Sequence, residues 1–553
     1  MGMDIRRAYG ALDMPPAKYI TFYALPLVAA GIAVVVLLGM LVPGLFEGPF
    51  ALLYVVIPFF FLIVAVIYPY TVAESRKQQI DHNIHFFITH MGVLATSQIP
   101  RSEIMRMLSE KKEYGALAIE TKKIYALVDS WNMSLAEACR FVSKRTPSEI
   151  FGDFLDRFAY SLDSGEALES FLTNEQIVVM EEFSAIYKGN LYELENMKGL
   201  FNSMMMSLIF IVIFAILMPV ITGIDATVLM AGALFMVGFI EVVFVFFTRA
   251  KAPSDPIWHD LKVETSVRIA VRRALPWSMA GCVVALLLAL NFTNLPVPII
   301  VAIGLTPLVY TGMRVGREEE RVKRREDSYA AFMRSLGASA SARGGAIKEV
   351  LRHLQNHDFG PLTEDIRHLY QRVNMRVDDE RAWAYFAADC GSNLIEKYTR
   401  MFVEGLKAGG KPDAIGRLIS DNFVRILVLR KARYQTASAF RGLLYGLIAG
   451  MAFSLFVGVS IVGMLQRIFQ GLELPKGAGD ADFVSSLFSF EANIPLISFL
   501  VMSLLLVHAM SSSLMIKAAD GGNYFRAYTD FVGLFWVAAI VSSVANSALT
   551  AVL

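Results

Sequence analysis

Two stretches decide the fold: DFLDRFAYSLDSGEALESFL at residues 153–172 and KYTRMFVEGLKAGGKPDAIGRL at residues 397–418. Each stretch spaces its apolar residues for a helix on both sides of a small-residue break. The breaks contain Gly165 in the first stretch and Gly409 with Gly410 in the second. Glycine accepts the left-handed conformation that ends a helix, so the following helix can fold back on the first. We therefore predict a helix hairpin in each stretch, with these glycines at the turn.

The resemblance between the two stretches extends over two polar modules, residues 86–200 and 332–441. Asn132-Met133 matches Asn374-Met375, and the offset between equivalent positions stays between 242 and 245 residues. Within both modules the apolar periodicity is helical, and Ser134 with Glu137 three residues later is a candidate capping box. The sequence predicts a duplicated helical bundle.

Composition predicts a membrane protein around these modules. The chain is 55% hydrophobic and 18% charged, with a mean hydropathy of +0.50, which is far from the balance of a soluble protein. About 18 or more apolar residues suffice for a helix to cross the bilayer. Nine segments approach or meet this length, at residues 19–42, 50–71, 203–223, 226–247, 275–291, 296–313, 442–465, 494–516 and 528–552.

The distribution of Lys and Arg predicts the orientation. With the N-terminus in the cytoplasm, the outer loops are 43–49, 224–225, 292–295 and 466–493, and the C-terminus also lies outside. Only Arg467 and Lys476 of the 51 basic residues fall there, so the positive-inside rule is nearly completely satisfied. Both modules then face the cytoplasm.

We predict an all-α polytopic membrane protein with two cytoplasmic helical-bundle domains and about nine spans. The predicted organisation is an N-terminal tail with two spans (1–71), the first bundle (72–200), two spans (201–247), a basic loop (248–274), two spans (275–313), the second bundle (314–441) and three spans (442–553).

The hairpin motifs and the duplicated organisation resemble the F domain of inner-membrane platform proteins of type II secretion and type IV pili. The chain length, the several spans in each half and the basic middle loop resemble the archaeal branch, which serves the archaellum and related pili. Bacterial members carry a Gly-Glu pair ahead of the Ser-Gly break, whereas this chain has Ser161-Leu162 there. The difference favours an archaeal-type or distant member.

This resemblance implies a non-enzymatic scaffold with no cofactor. A separate cytoplasmic hexameric secretion ATPase would act on the modules, and pilin or archaellin subunits would contact the protein within the lipid membrane. The resemblance also implies a homodimer. No nucleic-acid partner is predicted.

Charge distinguishes the two modules. Residues 71–200 contain 14 basic and 19 acidic residues, whereas residues 314–441 contain 24 and 17. Opposite net charges can pair the two copies with each other or present complementary patches to a cytoplasmic partner, and they are also compatible with undirected drift of solvated surfaces. As possible ATPase-docking residues we identify Arg268, Arg272, Arg273, Arg321, Arg324 and Arg325.

The basic runs also have a simpler interpretation. Arg321 to Arg325, and Arg430, Lys431 and Arg433, lie close enough to membrane spans for stop-transfer and lipid-phosphate contact to explain them. In the basic loop, residues 259–274 have the pattern of an amphipathic helix lying on the membrane surface.

Two polar residues fall within predicted spans, Glu241 and His508. Ionisable groups are costly in hydrocarbon, so each is a candidate functional residue. One Glu and one His without further carboxylates make a poor ion pathway. We therefore weigh a polar contact between helices that matters for movement against a purely structural role.

Signatures of catalysis and metal binding are missing from the sequence. Gly409-Gly410-Lys411 is followed by Pro412 rather than by the Ser or Thr of a phosphate-binding loop. The three cysteines, Cys139, Cys282 and Cys390, are too scattered for a disulfide framework or a metal pair. We predict no catalytic, cofactor-binding or metal site. A transporter with a parallel repeat remains the alternative, and a membrane enzyme is the third hypothesis.

Cysteine labelling in intact cells tests the orientation. Labels near Ser148, Asp260, Lys411 and Asp520 should be protected on the cytoplasmic side, and labels at Glu47 and Gly477 should react from outside, because nearly all basic residues then lie inside. A cytoplasmic Gly477 would contradict the nine-span topology.

Overall fold

The computed structural model describes residues 15–41, 53–222, 226–261, 263, 265–292, 295–471 and 493–552. Helices dominate these ranges. Strand geometry within them is confined to one isolated bridge, between Trp258 and Ser392. The predicted all-α fold class is confirmed.

A short helical turn (Pro16–Tyr19) and a π-helical turn (Ile20–Ala24) lead into the first long helix, and two 3₁₀ turns occur at Lys112–Tyr114 and Tyr524–Arg526. The α-helices that follow are α1 (Leu25–Leu41), α2 (Leu53–Ala95), α3 (Arg101–Ser109), α4 (Ala116–Trp131), α5 (Leu135–Ser143), α6 (Glu149–Asp163), α7 (Leu168–Thr222), α8 (Ala226–Lys251), α9 (Ser266–Phe292), α10 (Val297–Leu305), α11 (Leu308–Ala342), α12 (Ile347–Leu354), α13 (Leu362–Asn374), α14 (Asp379–Cys390), α15 (Asn393–Lys407), α16 (Pro412–Gly471), α17 (Ile494–Asp520) and α18 (Ala527–Val552).

Among the described residues, eight helices are long and apolar enough to cross a bilayer. Helices α10 and α11 form one further candidate span, bent by 47°. This agrees with the nine segments read from the sequence. The predicted outer loops 43–49 and 224–225, most of 466–493 and the end at Leu553 lie outside the described residues. The orientation therefore stays a prediction.

Three helices continue well beyond the length of a membrane span. Helix α2 has 43 residues, α7 has 55 and α16 has 60. At 1.5 Å per residue, α16 is about 90 Å long, whereas the hydrocarbon core measures only ~30 Å. Each of these helices therefore joins an apolar segment to polar sequence without a flexible linker.

The prediction of an amphipathic surface helix over residues 259–274 is wrong in its first half. Helix α9 begins at Ser266 and continues into the span, while the described residues of 252–265 are irregular. The backbone there is held by tertiary contacts: the His259 N–H donates to the Gly391 carbonyl at 3.1 Å, and the Asn393 N–H donates to the Ile257 carbonyl at 2.9 Å. These bonds replace the intrahelical ones.

The chain divides into two compact units that do not follow the sequence repeat. Unit 1 comprises residues 1–185, 333–350 and 400–422, and unit 2 comprises residues 186–332, 351–399 and 423–553. Unit 1 thus combines most of the first module with the hairpin around Gly409 from the second. That the two modules share one bundle fold stays a prediction.

The core of unit 1 is rich in aromatic side chains. Phe87 meets Phe151 edge to face, and Phe154 stacks between Phe151 and Phe158 with ring centroids about 6 Å apart. Helix α6 thus buries one face against α2. At the start of α5, the Ser134 hydroxyl accepts the Glu137 N–H and the Glu137 carboxylate accepts the Ser134 N–H, as the capping box predicted.

The core of unit 2 is the apolar packing of its membrane helices. Buried Met205, Val237, Leu455, Val501 and Phe535 belong to one continuous cluster. These residues come from α7, α8, α16, α17 and α18. These five spans of unit 2 therefore form one packed bundle.

The turn glycines have two different roles. Gly165 and Gly409 have φ of +71° and +81°, and a Cβ on either would meet no atom within 4 Å. A side chain there is strained by backbone conformation alone. At Gly410, by contrast, a Cβ would lie 2.5 Å from the Thr96 hydroxyl oxygen, so this glycine permits close packing of the hairpin against α2.

Substitution of the turn glycines tests this distinction. We expect Gly165→Val and Gly409→Val each to lower the free energy of unfolding by about 1–2 kcal/mol, because an L-residue is strained at positive φ. The measurement is unfolding of the detergent-solubilised chain. Gly189→Ala is the control, since Gly189 lies within α7 at ordinary φ with no atom near its Cβ. Equal stability of all three variants would contradict the assignment.

Candidate functional site

A buried arginine in unit 2 joins three segments that are distant in sequence. Arg430, in the first third of α16, is 1% exposed. Its guanidinium donates to both carboxylate oxygens of Asp255 at 2.7 and 2.6 Å and to Glu326 on α11 at 2.5 Å. It also donates to the Pro256 carbonyl at 3.0 Å. One cation thereby fixes the loop after α8 to two long helices.

Arg433 lies one turn later on α16 and closes the end of α17. It donates to the carbonyls of Ala519 and Ala518 at 2.7 and 3.1 Å, and to the Asp255 carbonyl at 3.1 Å. A cation at a helix C-terminus satisfies the last carbonyls and complements the helix dipole. We call Arg430, Arg433, Asp255 and Glu326 the arginine clamp.

Glu319 on α11 holds the connection between α17 and α18, beside the clamp. Its side chain is fully buried and accepts from Arg526 at 2.8 Å and from the Trp258 indole at 3.2 Å. Arg526 also contacts Asp520 at 3.0 Å. The connection between α17 and α18 is therefore held by the same helix that carries Glu326.

The six arginines predicted to dock an ATPase fall into two groups. Arg268 donates to the carbonyls of His259 and Leu261 at 2.5 and 2.8 Å. Arg325 is largely buried and contacts Glu318 at 3.1 Å and Asp365 at 2.9 Å. These two side chains are engaged within unit 2, whereas Arg272, Arg273, Arg321 and Arg324 are exposed.

Burial shifts the pKa values of two groups around these engaged arginines. Burial, aided by the nearby Arg268 charge, lowers the pKa of His259 to about 4, so the imidazole is neutral near pH 7. Burial raises the pKa of Asp365 to about 6 despite the opposing charge of Arg325. Both shifts mark the surroundings as structural interior rather than as a solvated docking surface.

Two of the exposed arginines, Arg321 and Arg324, line a cleft in unit 2 with three arginines that sequence reasoning had not selected, Arg317, Arg441 and Arg526. The cleft has a volume of about 540 Å³ and also contains Glu320, Asp530, Thr529, Gly312, Met313 and Gly316. Five arginines face two carboxylates. We call this feature the basic cleft.

The two sequence modules contact each other within unit 1. Glu404 of the second module lies 2.6 Å from Lys111 and 3.1 Å from the His90 imidazole of the first. His90 is also bonded to the Tyr114 hydroxyl at 2.8 Å. Burial opposes ionisation of Glu404, but contacts with His90 and Lys111 outweigh it and lower its pKa to about 2. An Arg400–Glu113 ion pair adds a second charged contact.

The structure brings the two predicted intramembrane polar residues together. The His508 Nδ1 lies 2.5 Å from a Glu241 carboxylate oxygen, and both side chains are fully buried between α8 and α17. Phe201 lies parallel to the imidazole, with ring centroids 6.3 Å apart. This is a direct polar contact between two membrane helices.

No group of three or more His, Cys, Asp or Glu side chains suited to a metal ion occurs among the residues that the structure describes. Burial raises the pKa of Cys139 to about 12 and that of Cys390 well above its ordinary value. Both thiols are therefore protonated at neutral pH.

Known proteins resemble this chain over nearly its whole length. The family model for protein F of the type II secretion system matches residues 87–223. Flagella accessory protein J of Methanocaldococcus jannaschii is 36% identical over 98% of this chain and 97% of its own length. The protein of the same name from Methanococcus voltae is 36% identical over 96% of each chain. No solved structure gives a significant match.

Removing the central cation tests the arginine clamp. Arg430→Ala should lower the free energy of unfolding by about 3–5 kcal/mol, because it leaves buried carboxylates without their cation. The adjacent Lys431→Ala is the matched control: Lys431 pairs with Asp327 at 2.8 Å, but both side chains are at least half exposed, so its loss should cost less than about 1 kcal/mol. Comparable unfolding midpoints for the two variants in detergent would contradict the clamp.

Proposed function

The chain belongs to the family of Flagella accessory protein J, an archaellum platform protein with a type II secretion protein F domain, and we propose that it is a membrane platform. In this proposal it couples a cytoplasmic secretion ATPase to the assembly of archaellin or pilin subunits. The ATPase acts on the polar modules, and the subunits contact the membrane helices. A homodimer is part of this proposal.

The observation that carries the proposal is the continuity of the helices. Helices α2, α7 and α16 each join apolar sequence to the modules without interruption. Since no flexible linker separates the polar from the apolar part of these helices, a displacement of a module would be transmitted to the membrane segments. A scaffold that transmits movement needs this property, whereas an anchor for an independent domain does not.

The arginine clamp supports the same role. It joins the cytoplasmic loop at Asp255, helix α11 at Glu326 and the end of α17 at Ala519 to one turn of α16. Buried ion pairs with several hydrogen bonds are geometrically specific. The clamp makes the membrane-proximal part of unit 2 a stiff base.

In this proposal the chain itself hydrolyses no nucleotide. The Gly409-Gly410-Lys411 sequence precedes α16, whose first residue is Pro412. A phosphate-binding loop uses the N–H groups and hydroxyl at the start of its helix, and proline has neither. The energy source is therefore a separate protein.

The docking surface that we propose combines the module surfaces with Arg272 and Arg273 at the start of α9. Arg268 and Arg325 are omitted because they make internal contacts, and Arg321 and Arg324 because they line the basic cleft. Exposed charges on a docking surface are screened beyond about 8 Å at physiological ionic strength, so association should weaken with added salt.

Reconstitution tests the proposal. The purified full-length chain in nanodiscs should hydrolyse no ATP, should bind the secretion ATPase of its own assembly system and should raise the turnover of that ATPase. Arg272→Glu with Arg273→Glu should reduce binding, because the reversed charges repel the partner. Binding is measured by co-purification and turnover by phosphate release, each at two salt concentrations.

The control is Lys18→Glu with Arg467→Glu, which makes the same change in net charge at exposed positions outside both modules. Binding should survive in this variant. If both variants lost ATPase binding equally, binding would depend on net charge alone and not on Arg272 and Arg273. ATP hydrolysis by the pure chain, or normal stimulation by a chain lacking both modules, would overturn the proposed function.

A further inference from the structure

We propose that the basic cleft binds the phosphate of an anionic lipid headgroup on the cytoplasmic side of the membrane. Its cationic lining is Arg317, Arg321, Arg324, Arg441 and Arg526. This inference does not depend on ATPase docking. It assigns a ligand to the two predicted docking arginines on α11 that lie in the cleft.

The position of the cleft along three helices points to the membrane surface. On α11 it begins at Gly312 and Met313, where the apolar segment ends. On α16 it contains Arg441, which immediately precedes the apolar run from Gly442. On α18 it contains Thr529 and Asp530, just before the apolar run from Phe531. Three spans thus change from apolar to charged sequence around one cavity.

Two of the arginines are held in place by carboxylates. Arg441 on α16 pairs with Asp530 on α18, with its Nε 2.9 Å from Oδ1. Arg526 is held by Glu319 and Asp520 at 2.8 and 3.0 Å. These partners fix the guanidinium positions before a ligand arrives, so less conformational entropy is lost on binding.

The other three arginines supply charge that remains accessible. The side chains of Arg321 and Arg324 are 69% and 65% exposed, although each touches a glutamate on its own helix. Arg317 is also exposed and has no ion-pair partner among the described residues. Arg317, Arg321 and Arg324 are three and four residues apart, so they lie on one face of α11.

The cavity offers an apolar surface beside its arginines, which an acyl chain below a headgroup can contact. A Cβ at Gly312 would lie 2.8 Å from the Thr529 backbone nitrogen, so glycine allows α11 and α18 to meet at the base. Exposed Met313 adds an apolar surface at the same level. The volume of about 540 Å³ falls within the range of small-molecule sites.

A lipid explains the site better than a protein carboxylate does. The cleft combines cations with an apolar base at the ends of three spans, and the lipid phosphates of the inner leaflet lie at this depth. Arginine guanidinium groups match phosphate oxygens with several parallel hydrogen bonds. A docked cytoplasmic protein would not use the apolar base.

Lipid titration of the full-length chain tests this proposal. Delipidated protein in neutral detergent is titrated with phosphatidylglycerol, and the rise in unfolding temperature is measured. The double variant Arg317→Gln with Arg321→Gln should need on the order of 25-fold more lipid for half the effect, since each arginine near a lipid phosphate contributes roughly fivefold to affinity.

The matched control is Arg314→Gln with Arg343→Gln, which removes two exposed arginines that do not line the cleft. Its titration should match that of the unchanged protein. Arg317→Lys with Arg321→Lys keeps the charge and should retain most of the response, which separates loss of binding from misfolding. Phosphatidylcholine should give little effect at any concentration.

Three results would overturn the proposal. Equal titrations for the Gln double variant and its control would remove the cleft as the lipid site. Equal protection by inorganic phosphate would make it a site for free anions. A Gln variant that keeps its lipid response but loses the secretion ATPase would return Arg321 to the docking surface.

Discussion

Unit 2 depends on one buried cation. Arg430 occupies a position in the first third of a 60-residue helix, where its guanidinium is almost inaccessible to water. Such a charge is stable only with full compensation, and the compensation comes from Asp255 and Glu326, 175 and 104 residues away. The loop after α8 is irregular because its carboxylate and carbonyl groups serve this arginine and its neighbour Arg433.

The general architecture could be predicted because it follows from local physics. Apolar length specifies the spans, helical periodicity specifies the helices, and Gly165 and Gly409 specify turns at positive φ. The capping box at Ser134 is similarly local, since its two partners are three residues apart. Each of these features depends on neighbours within a few positions along the chain.

The features that were predicted wrongly depend instead on contacts between residues that are distant in the sequence. Residues 259–265 carry an amphipathic pattern, but the carbonyls of His259 and Leu261 accept from Arg268, and the His259 N–H donates to the Gly391 carbonyl. Arg430, Lys431 and Arg433 look like a stop-transfer run. Only their spacing offered a signal, because residues 430 and 433 share a helical face that 431 does not. Charge identity alone could not say which arginines turn inward.

The order of the clamp residues along the chain also has a consequence for biosynthesis. Its parts are translated in the order Asp255, Glu326, Arg430 and finally the end of α17 at Ala519. A nascent chain that ends before residue 430 carries both carboxylates but lacks the cation that pairs with them in the complete chain. Unit 2 therefore cannot complete the arginine clamp until the last third of the chain has been translated. A product truncated before residue 430 therefore keeps both carboxylates without their cation, which disfavours burial of this part of unit 2.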